Sequence, residues 1–264
     1  MSGPGAVHLE RSGAVARITF DRPAARNSMT MAMYGELEAH LATLSGEVDG
    51  EGPSPLRVAV LRGAGGFFVA GTDIGHFTGF RDADDGVGYE AKIDGVVAAL
   101  EALPLPTVAV VEGAAVGGGL MLAAACDLRV CTPDARFGAP IARTVGNCLS
   151  MANVARLVAY LGPSRTEALL FLADFLDAAE ARVCGFVREV VEPDALDERV
   201  DDFCRRITAH APITLRVTKE AVRRLVDAGI PDGEDLVREA YGSEDFRRGV
   251  RAFLDKERPE WEGR

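Results

Sequence analysis

Three short, mostly apolar runs set the strongest limit on what this chain can fold into. They are Val58–Leu61, Val108–Val111 and Leu128–Val130, and segments with helical spacing of apolar residues separate them. Runs without apolar–polar alternation are typical of strands buried on both faces of a parallel sheet. Strands that alternate with amphipathic helices predict an α/β fold with a parallel sheet component.

The N-terminal part adds one more strand and the first helix. Val15–Phe20 shows partial alternation and predicts a strand, which the following Asp-Arg-Pro ends. Apolar residues at helical spacing predict a helix over Thr30–Leu44. The stretch Gly46–Pro55 is rich in glycine, proline and acidic residues, which predicts a surface loop.

The pattern changes after about residue 195, where strand signals stop. Leu196–His210, Thr214–Ala228 and Gly233–Lys256 each have the periodicity of an amphipathic helix. We therefore expect a core over residues 1–195 and a helical subdomain over 196–264 that serves oligomerisation or forms a lid.

The composition argues against several classes of protein. The chain has 264 residues, 48% of them hydrophobic, and a net charge of −11, which argues against a nucleic-acid partner. No apolar run is long enough to span a bilayer, and the first residues lack the apolar core of a signal peptide. The five cysteines form no CxxC pair, so we expect buried thiols in a reducing, cytoplasmic setting and no metal site.

Two glycine-rich segments, Gly63–Ile74 and Glu112–Leu122, point to backbone rather than side-chain chemistry. Glycine lets the backbone turn tightly and approach a ligand, and the free N–H groups at a helix N-terminus attract negative charge. Neither segment matches G-x-G-x-x-G or a Walker A sequence. Taken singly, each is equally compatible with close packing of a helix on a strand.

Five segments, in order along nearly the whole chain, resemble motifs of the enoyl-CoA hydratase/isomerase (crotonase) superfamily. They are Ile18–Met29, Phe68–Ile74, Glu112–Leu128 with its three glycines and Cys-Asp-Leu, Ala135–Pro140 and Phe253–Lys256. The resemblance implies a crotonase-like α/β fold, in which a spiral of ββα units is followed by C-terminal helices that build a homotrimer or homohexamer. It also implies an acyl-CoA thioester as substrate, with no separate cofactor.

Enzymes of this superfamily stabilise a thioester enolate with two backbone N–H groups. Carried onto this sequence, the resemblance assigns that oxyanion hole to Thr72 and Gly118. Backbone donors need a fixed turn and no particular side chain, which is what two glycine-rich segments supply. Asp73 and Ile74 of the first segment are expected to contact the substrate, Asp73 chiefly by structuring the loop.

The resemblance also implies where coenzyme A binds. The expected positions are Ala25, Arg26, Ala70, Phe253 and Lys256. The first three would hold the nucleotide and pantetheine, partly through main-chain atoms. The last two would meet the adenine and phosphates, with local positive charge from the two cations. Each cation is also compatible with an ordinary solvated surface position.

The family pattern breaks at both glutamates that hydration uses. Met121 and Ile141 occupy those positions, where they are expected to line the substrate site. Neither a thioether nor an alkyl group transfers a proton. Because each positioned acid or base contributes roughly 10²–10⁴-fold, losing both argues against simple water addition.

Substitute groups must therefore come from elsewhere. His76, beside the oxyanion loop, and Ser150, where some relatives place a carboxylate, are the candidate catalytic side chains. An exposed loop histidine and a substrate-binding hydroxyl are the plainer alternatives. Tyr89 and Glu90 lie in the variable segment that lines the acyl pocket in relatives, and Cys148 has no identifiable base beside it.

Two functions remain open from the sequence. The first is an acyl-CoA enzyme, nominally a hydratase, that uses non-standard acid–base groups for decarboxylation, isomerisation or hydrolysis. The second is an acyl-CoA-binding protein without catalysis. A panel of CoA thioesters that bind without being turned over would favour the second.

Overall fold

The computed structural model describes residues 3–50, 54–229 and 234–259. Its strands are β1 (Ala6–Ser12), β2 (Val15–Asp21), β3 (Val58–Gly63), β4 (Thr107–Val111), β5 (Ala114–Val116), β6 (Leu128–Cys131), β7 (Arg136–Gly138), β8 (Phe175–Asp177) and β9 (Glu189–Val190). Its helices are α1 (Met31–Asp49), α2 (Ala83–Glu101), α3 (Gly118–Ala125), α4 (Ile141–Thr144), α5 (Met151–Phe171), α6 (Ala178–Val183), α7 (Leu196–Thr208), α8 (Pro212–Asp227), α9 (Glu234–Gly242) and α10 (Glu244–Asp255). Within these ranges, no helix has the length and apolar character needed to cross a bilayer.

The strands form two sheets, and the larger one contains the parallel strands that the alternation of strands and helices predicts. The larger has the order β1-β2-β3-β4-β6-β9 and is parallel except for the β1–β2 hairpin. The smaller has the order β5-β7-β8, in which β5 and β7 are parallel. Every residue of β4 is buried, which explains the absence of alternation in its sequence. The expected α/β fold is confirmed.

Helix α1 is longer than its sequence predicts. The apolar face from Met33 to Leu44 is buried as expected, and Thr30 caps the helix by accepting a hydrogen bond from the Met33 amide. The predicted loop over Gly46–Pro55 is wrong at its start, because the helix continues to Asp49. Val48 packs against the core, and this contact outweighs the low helix propensity of Gly46. The remainder of that predicted loop lies partly outside the described residues.

The C-terminal region is helical, but the predicted helix over Gly233–Lys256 is two helices. Ser243 separates them and caps α10 by accepting from the Phe246 amide. Tyr241 of α9 and Phe246 of α10 are each only 1% exposed and belong to the same apolar core as α2. The C-terminal helices therefore complete the core, while the division at residue 195 stays a prediction.

The two glycine-rich segments lie side by side because backbone packs directly on backbone. The Val69 amide donates to the Ala114 carbonyl at 3.2 Å, and the Val116 amide donates to the Val69 carbonyl at 3.0 Å. At the start of α3, a Cβ added to Gly119 would lie 2.1 Å from that same Val69 carbonyl oxygen. Only glycine permits this approach.

A Gly119→Ala substitution should therefore lower the free energy of unfolding by about 1–3 kcal/mol, since the neighbouring atom is backbone and must shift. Gly95→Ala is the matched control. That position is exposed in the middle of α2 with nothing near the added methyl group, so alanine should stabilise the helix by up to about 1 kcal/mol. Urea unfolding of both variants measures the difference. Equal stability of the two variants would contradict the packing argument.

Candidate active site

The loop that carries Thr72 is fixed from the N-terminal side of the chain. The Met29 amide donates to the Gly71 carbonyl at 2.8 Å, and the Asp73 amide donates to the Met29 carbonyl at 2.9 Å. The buried Arg22 guanidinium donates to Asp73 Oδ2 at 2.7 Å, while Asp73 Oδ1 accepts from the Gly75 amide at 2.9 Å. Both carboxylate oxygens of Asp73 are thus used to hold the loop, as expected from the sequence.

The N-terminus of α3 faces this loop at very short range. Gly117, with φ of 53° and ψ of −118°, adopts a backbone conformation that other residues rarely reach, and Gly118 is the first helical residue. A Cβ at position 118 would lie 2.4 Å from the Tyr34 hydroxyl oxygen. A side chain at 118 is therefore excluded by the tyrosine that packs beside it.

Both segments line one cavity of about 350 Å³. The predicted site residues that line it are Ala25, Ala70, Thr72, Asp73, Ile74, Gly118, Met121, Ile141 and Phe253. The Thr72 and Gly118 amides donate no hydrogen bond to another group within the described residues. As the first residue of its helix, Gly118 has no intrahelical acceptor. The cavity thus has two unused backbone donors on its wall.

Arg26 and Lys256 lie outside the cavity lining. Both are exposed and in the left-handed backbone region, with φ of 50° and 59°. The Arg26 guanidinium lies 5.6 Å from the centre of the Phe67 ring, and Lys256 caps the end of α10. Their assignment to coenzyme A stays a prediction.

His76 also lies outside the lining residues. Its exposed ring packs against an aromatic cluster, with centroid distances of 5.4 Å to Phe80 and 5.9 Å to Tyr89. Partial burial lowers the pKa of His76, and the nearby Asp73 carboxylate opposes that shift. The structure thus favours a neutral ring at the edge of the site, and a catalytic role for His76 stays a prediction.

Ser150 caps helix α5, and its hydroxyl is already engaged. It accepts from the Asn153 amide at 3.2 Å and donates to Asp94 Oδ1 at 2.7 Å. Its backbone amide donates to Glu90 Oε2 at 3.3 Å. Ser150 is therefore next to the site but outside the cavity lining, with a structural use for its side chain.

Glu90 is the residue that the sequence analysis undervalued. It lines the cavity, is only 5% exposed, and forms no ion pair within the described ranges. Burial raises its pKa to about 7, and repulsion from Asp94 adds to the rise, while hydrogen bonds from Tyr241 and Ser150 oppose it. A sequence signal was present, because Glu90 falls between Tyr89 and Ile93 on the buried face of α2.

The Glu90 carboxyl is oriented by the C-terminal region. The Tyr241 hydroxyl of α9 donates to Glu90 Oε1 at 2.5 Å. The Asn147 side-chain amide in turn donates to the Tyr241 hydroxyl oxygen at 3.0 Å. Hydrogen bonds to both of its oxygens therefore hold Glu90 in one orientation at the cavity wall.

The other ionisable carboxyl in the lining is Asp73, which is engaged by Arg22. Met121 and Ile141 also line the cavity and add only apolar surface. Among the described lining residues, Glu90 is thus the carboxyl available for proton transfer. The site combines two backbone N–H donors, one carboxyl with a pKa of about 7 and an apolar wall.

These features define an enzyme-like pocket on an α/β spiral, and comparisons with known proteins identify its class. The profile of the enoyl-CoA hydratase/isomerase family matches residues 10–264. The protein belongs to this family.

Its relatives carry several reaction names. The sequence is 31% identical over 259 residues to a short-chain-enoyl-CoA hydratase of Clostridium acetobutylicum, covering 96% of both chains. An enoyl-CoA hydratase/carnithine racemase of Magnetospirillum magneticum superposes with a TM-score of 0.78 at 31% identity, over 98% of this chain and 96% of that one. A methylmalonyl-CoA decarboxylase in complex with 2-nitronate-propionyl-CoA superposes with a TM-score of 0.86 at 25% identity, over 98% of both chains.

The buried Glu90 should make stability depend on pH. Its pKa is raised from 4.5 in the unfolded chain to about 7, so the folded protein favours the neutral carboxyl. That preference is fully present below pH 4.5 and is lost as pH rises through about 7, a cost of about 3 kcal/mol. Glu90→Gln should therefore be more stable than the wild type at pH 8, by about 1–3 kcal/mol, and the difference should shrink towards pH 5.

Thermal and urea unfolding at several pH values test this expectation. Glu10→Gln, at an exposed position of β1, is the control, and its difference from the wild type should not vary in this way. A Glu90→Gln difference that is independent of pH would show that the carboxyl is ionised without penalty in the folded protein.

Proposed function

We propose that the protein moves a proton at the α-carbon of an acyl-CoA thioester, as an isomerase-type member of its family. The enolate oxygen would be held by the Thr72 and Gly118 amides, and Glu90 would carry the proton. The observation that supports this most directly is the buried carboxyl of Glu90, which forms no ion pair within the described residues and lines the same cavity as Thr72 and Gly118, whose amides donate to no group there.

The two amides suit a negatively charged oxygen. Both are fixed by backbone packing, so they need no reorganisation when charge develops on the thioester oxygen. A pre-organised donor of this kind is worth about 3–4 kcal/mol in the transition state. The start of α3 adds the positive end of a helix dipole to the same place.

Glu90 suits the proton transfer because its pKa lies near neutrality. A base works best when its pKa is close to the operating pH, since enough of it is ionised while it retains affinity for the proton. The carboxylate removes a proton from the α-carbon, which leaves the enolate, and returns it to a different carbon. The double bond moves, and no atom is added or lost.

Hydration is less well supported by this site. It requires a water molecule that is held and deprotonated while a proton reaches the α-carbon. The two positions that supply carboxylates for this purpose in the family are Met121 and Ile141, which cannot bind a water through charge.

Decarboxylation is the second candidate, and a specific observation favours it. The structure superposes with a TM-score of 0.86 on a methylmalonyl-CoA decarboxylase. Loss of CO₂ from a malonyl-type thioester gives the same enolate without any base, and the neutral form of Glu90 would then protonate it. The near-neutral pKa is compatible with either direction of proton transfer.

The remaining parts of the substrate site follow the family pattern. We place the pantetheine of coenzyme A along Ala25 and Ala70, with Arg26 and Lys256 near its phosphates. A homotrimer or homohexamer in the cytoplasm is the assembly that this proposal carries with it. The non-catalytic acyl-CoA-binding protein is the alternative that the next experiment addresses.

Exchange of α-hydrogens in D₂O tests the proposal without knowledge of the natural acyl group. The wild type should catalyse deuterium uptake into at least one member of a panel of saturated and unsaturated acyl-CoA esters, measured by mass spectrometry. Glu90→Gln should lower that rate by roughly 10²–10⁴-fold, because it removes the proton carrier. A wild type that binds these esters but exchanges none would support the non-catalytic alternative.

The pH dependence of exchange gives an independent check with a matched variant. The rate should rise with pH through about 7 as Glu90 ionises. Asp94→Asn, one helical turn along α2, removes a negative charge that raises the pKa of Glu90. The variant should remain active, and its exchange rate should rise at a lower pH than that of the wild type. If the rise occurs at the same pH in Asp94→Asn, or if it persists in Glu90→Gln, the titrating group is not Glu90.

A further inference from the structure

Three hydroxyl groups form a continuous chain beside the proposed oxyanion hole. The Tyr34 hydroxyl oxygen lies 2.9 Å from Thr72 Oγ1, which lies 2.7 Å from the Tyr89 hydroxyl oxygen. Tyr34 is fully buried and lies at one end of this row of hydroxyl groups, while Thr72 and Tyr89 both line the cavity.

The three hydroxyl groups carry one hydrogen more than the hydrogen bonds between them use. Three hydroxyls carry three hydrogens, and the two contacts between them use two. Tyr34 has no hydrogen-bond partner other than Thr72 in the described part of the chain, so a hydrogen pointing elsewhere would be a buried, unsatisfied donor. Tyr34 therefore donates to Thr72, and the spare hydrogen belongs to Thr72 or Tyr89.

An anionic oxygen bound in the cavity would determine whether Thr72 or Tyr89 carries the spare hydrogen. A phenol is a stronger donor than an aliphatic hydroxyl, and the strongest hydrogen bond forms when the better donor meets the charged acceptor. The favourable arrangement is then a relay in which Tyr34 donates to Thr72, Thr72 donates to Tyr89, and Tyr89 donates into the cavity.

We propose that the Tyr89 hydroxyl is a third donor to the enolate oxygen, a side-chain donor that supplements the backbone amides of Thr72 and Gly118. The proposal rests on the proposed function. It requires donation of a hydrogen bond and no transfer of the proton. Burial raises the pKa of Tyr89 well above 10, with the neighbouring Tyr34 and Glu90 adding to the shift, so the phenol keeps its proton.

The division of roles between adjacent residues of α2 follows from this chemistry. Transfer of the Tyr89 proton would leave a phenolate in a buried site, which desolvation opposes. Glu90 accordingly moves the proton, and Tyr89 remains neutral throughout.

The test compares affinity for an enolate-like ligand with affinity for an uncharged one. The probes are 2-nitronate-propionyl-CoA, whose planar anion resembles the enolate, and propionyl-CoA, both measured by calorimetry on the full-length protein. Tyr89→Phe removes only the hydroxyl that faces the cavity. Tyr34→Phe is the matched variant, since it removes a hydroxyl from the other end of the same chain.

We expect Tyr89→Phe to reduce the preference for the nitronate ester by tenfold or more, and Tyr34→Phe to reduce it by less than threefold. The proposal would be overturned if both variants lost the preference equally, or if Tyr89→Phe retained it. Retention in Tyr89→Phe would assign the spare hydrogen to Thr72. Incorporation of 3-fluorotyrosine at position 89, which makes the phenol a stronger donor while keeping its hydroxyl, should increase the preference.

The outcomes separate this proposal from the one on which it rests. A wild type with no preference for the nitronate ester would contradict the oxyanion hole itself. A wild-type preference that Tyr89→Phe leaves intact would contradict only the role of Tyr89. In Tyr89→Phe, the slower exchange should appear as a lower kcat with little change in KM. The rate should still rise through about pH 7, because Glu90 is unchanged.

Discussion

The close approach of two glycine-rich segments is the constraint on which the rest of the site depends. The Tyr34 hydroxyl occupies the space that a side chain at Gly118 would need, and the Val69 carbonyl does the same at Gly119. Thr72 and Gly118 both line the cavity, and their N–H groups donate no hydrogen bond within the described residues. The proposed anion site uses backbone groups, so it would persist when the surrounding side chains change, and one fold could then support several reactions.

The charges near the cavity are distributed so that one carboxyl remains without a cation. Arg22 is engaged by Asp73, and Arg156 donates to both oxygens of Glu101 at 2.5 and 2.6 Å. Within the described residues Glu90 has only neutral hydrogen-bond donors, so burial raises its pKa to about 7 and no ion pair there opposes that rise. An arginine beside it would favour the ionised form and lower that pKa, leaving a weaker base. The lack of an ion pair within the described residues therefore suits Glu90 to the proposed proton transfer, at a cost in stability.

The sequence predicts the backbone part of this site better than the side-chain part. Glycine positions and strand runs are local signals, and they located the parallel sheet, the glycine-rich loop before Thr72 and the start of α3. Glu90 was harder to find, because its importance depends on Tyr241, which lies 151 positions away along the chain. The same limit applies to Ser150, whose partner Asp94 is 56 positions distant. Helix ends such as Asp49 also escaped prediction, since packing of Val48 decides them.

The hydrogen bond from Tyr241 to Glu90 gives the C-terminal helices a part in the proposed chemistry. A Cβ on Gly86 of α2 would lie 2.2 Å from the Tyr241 ring, so only glycine lets α9 approach this helix closely enough for the hydroxyl to reach Glu90. The same contact excludes solvent from the carboxyl, and solvent exclusion is the main cause of its raised pKa. If α9 moved away from α2, Glu90 would return towards the pKa of an ordinary carboxylate and become a weak base. Docking of the C-terminal helices and the basicity of Glu90 are therefore two consequences of one contact.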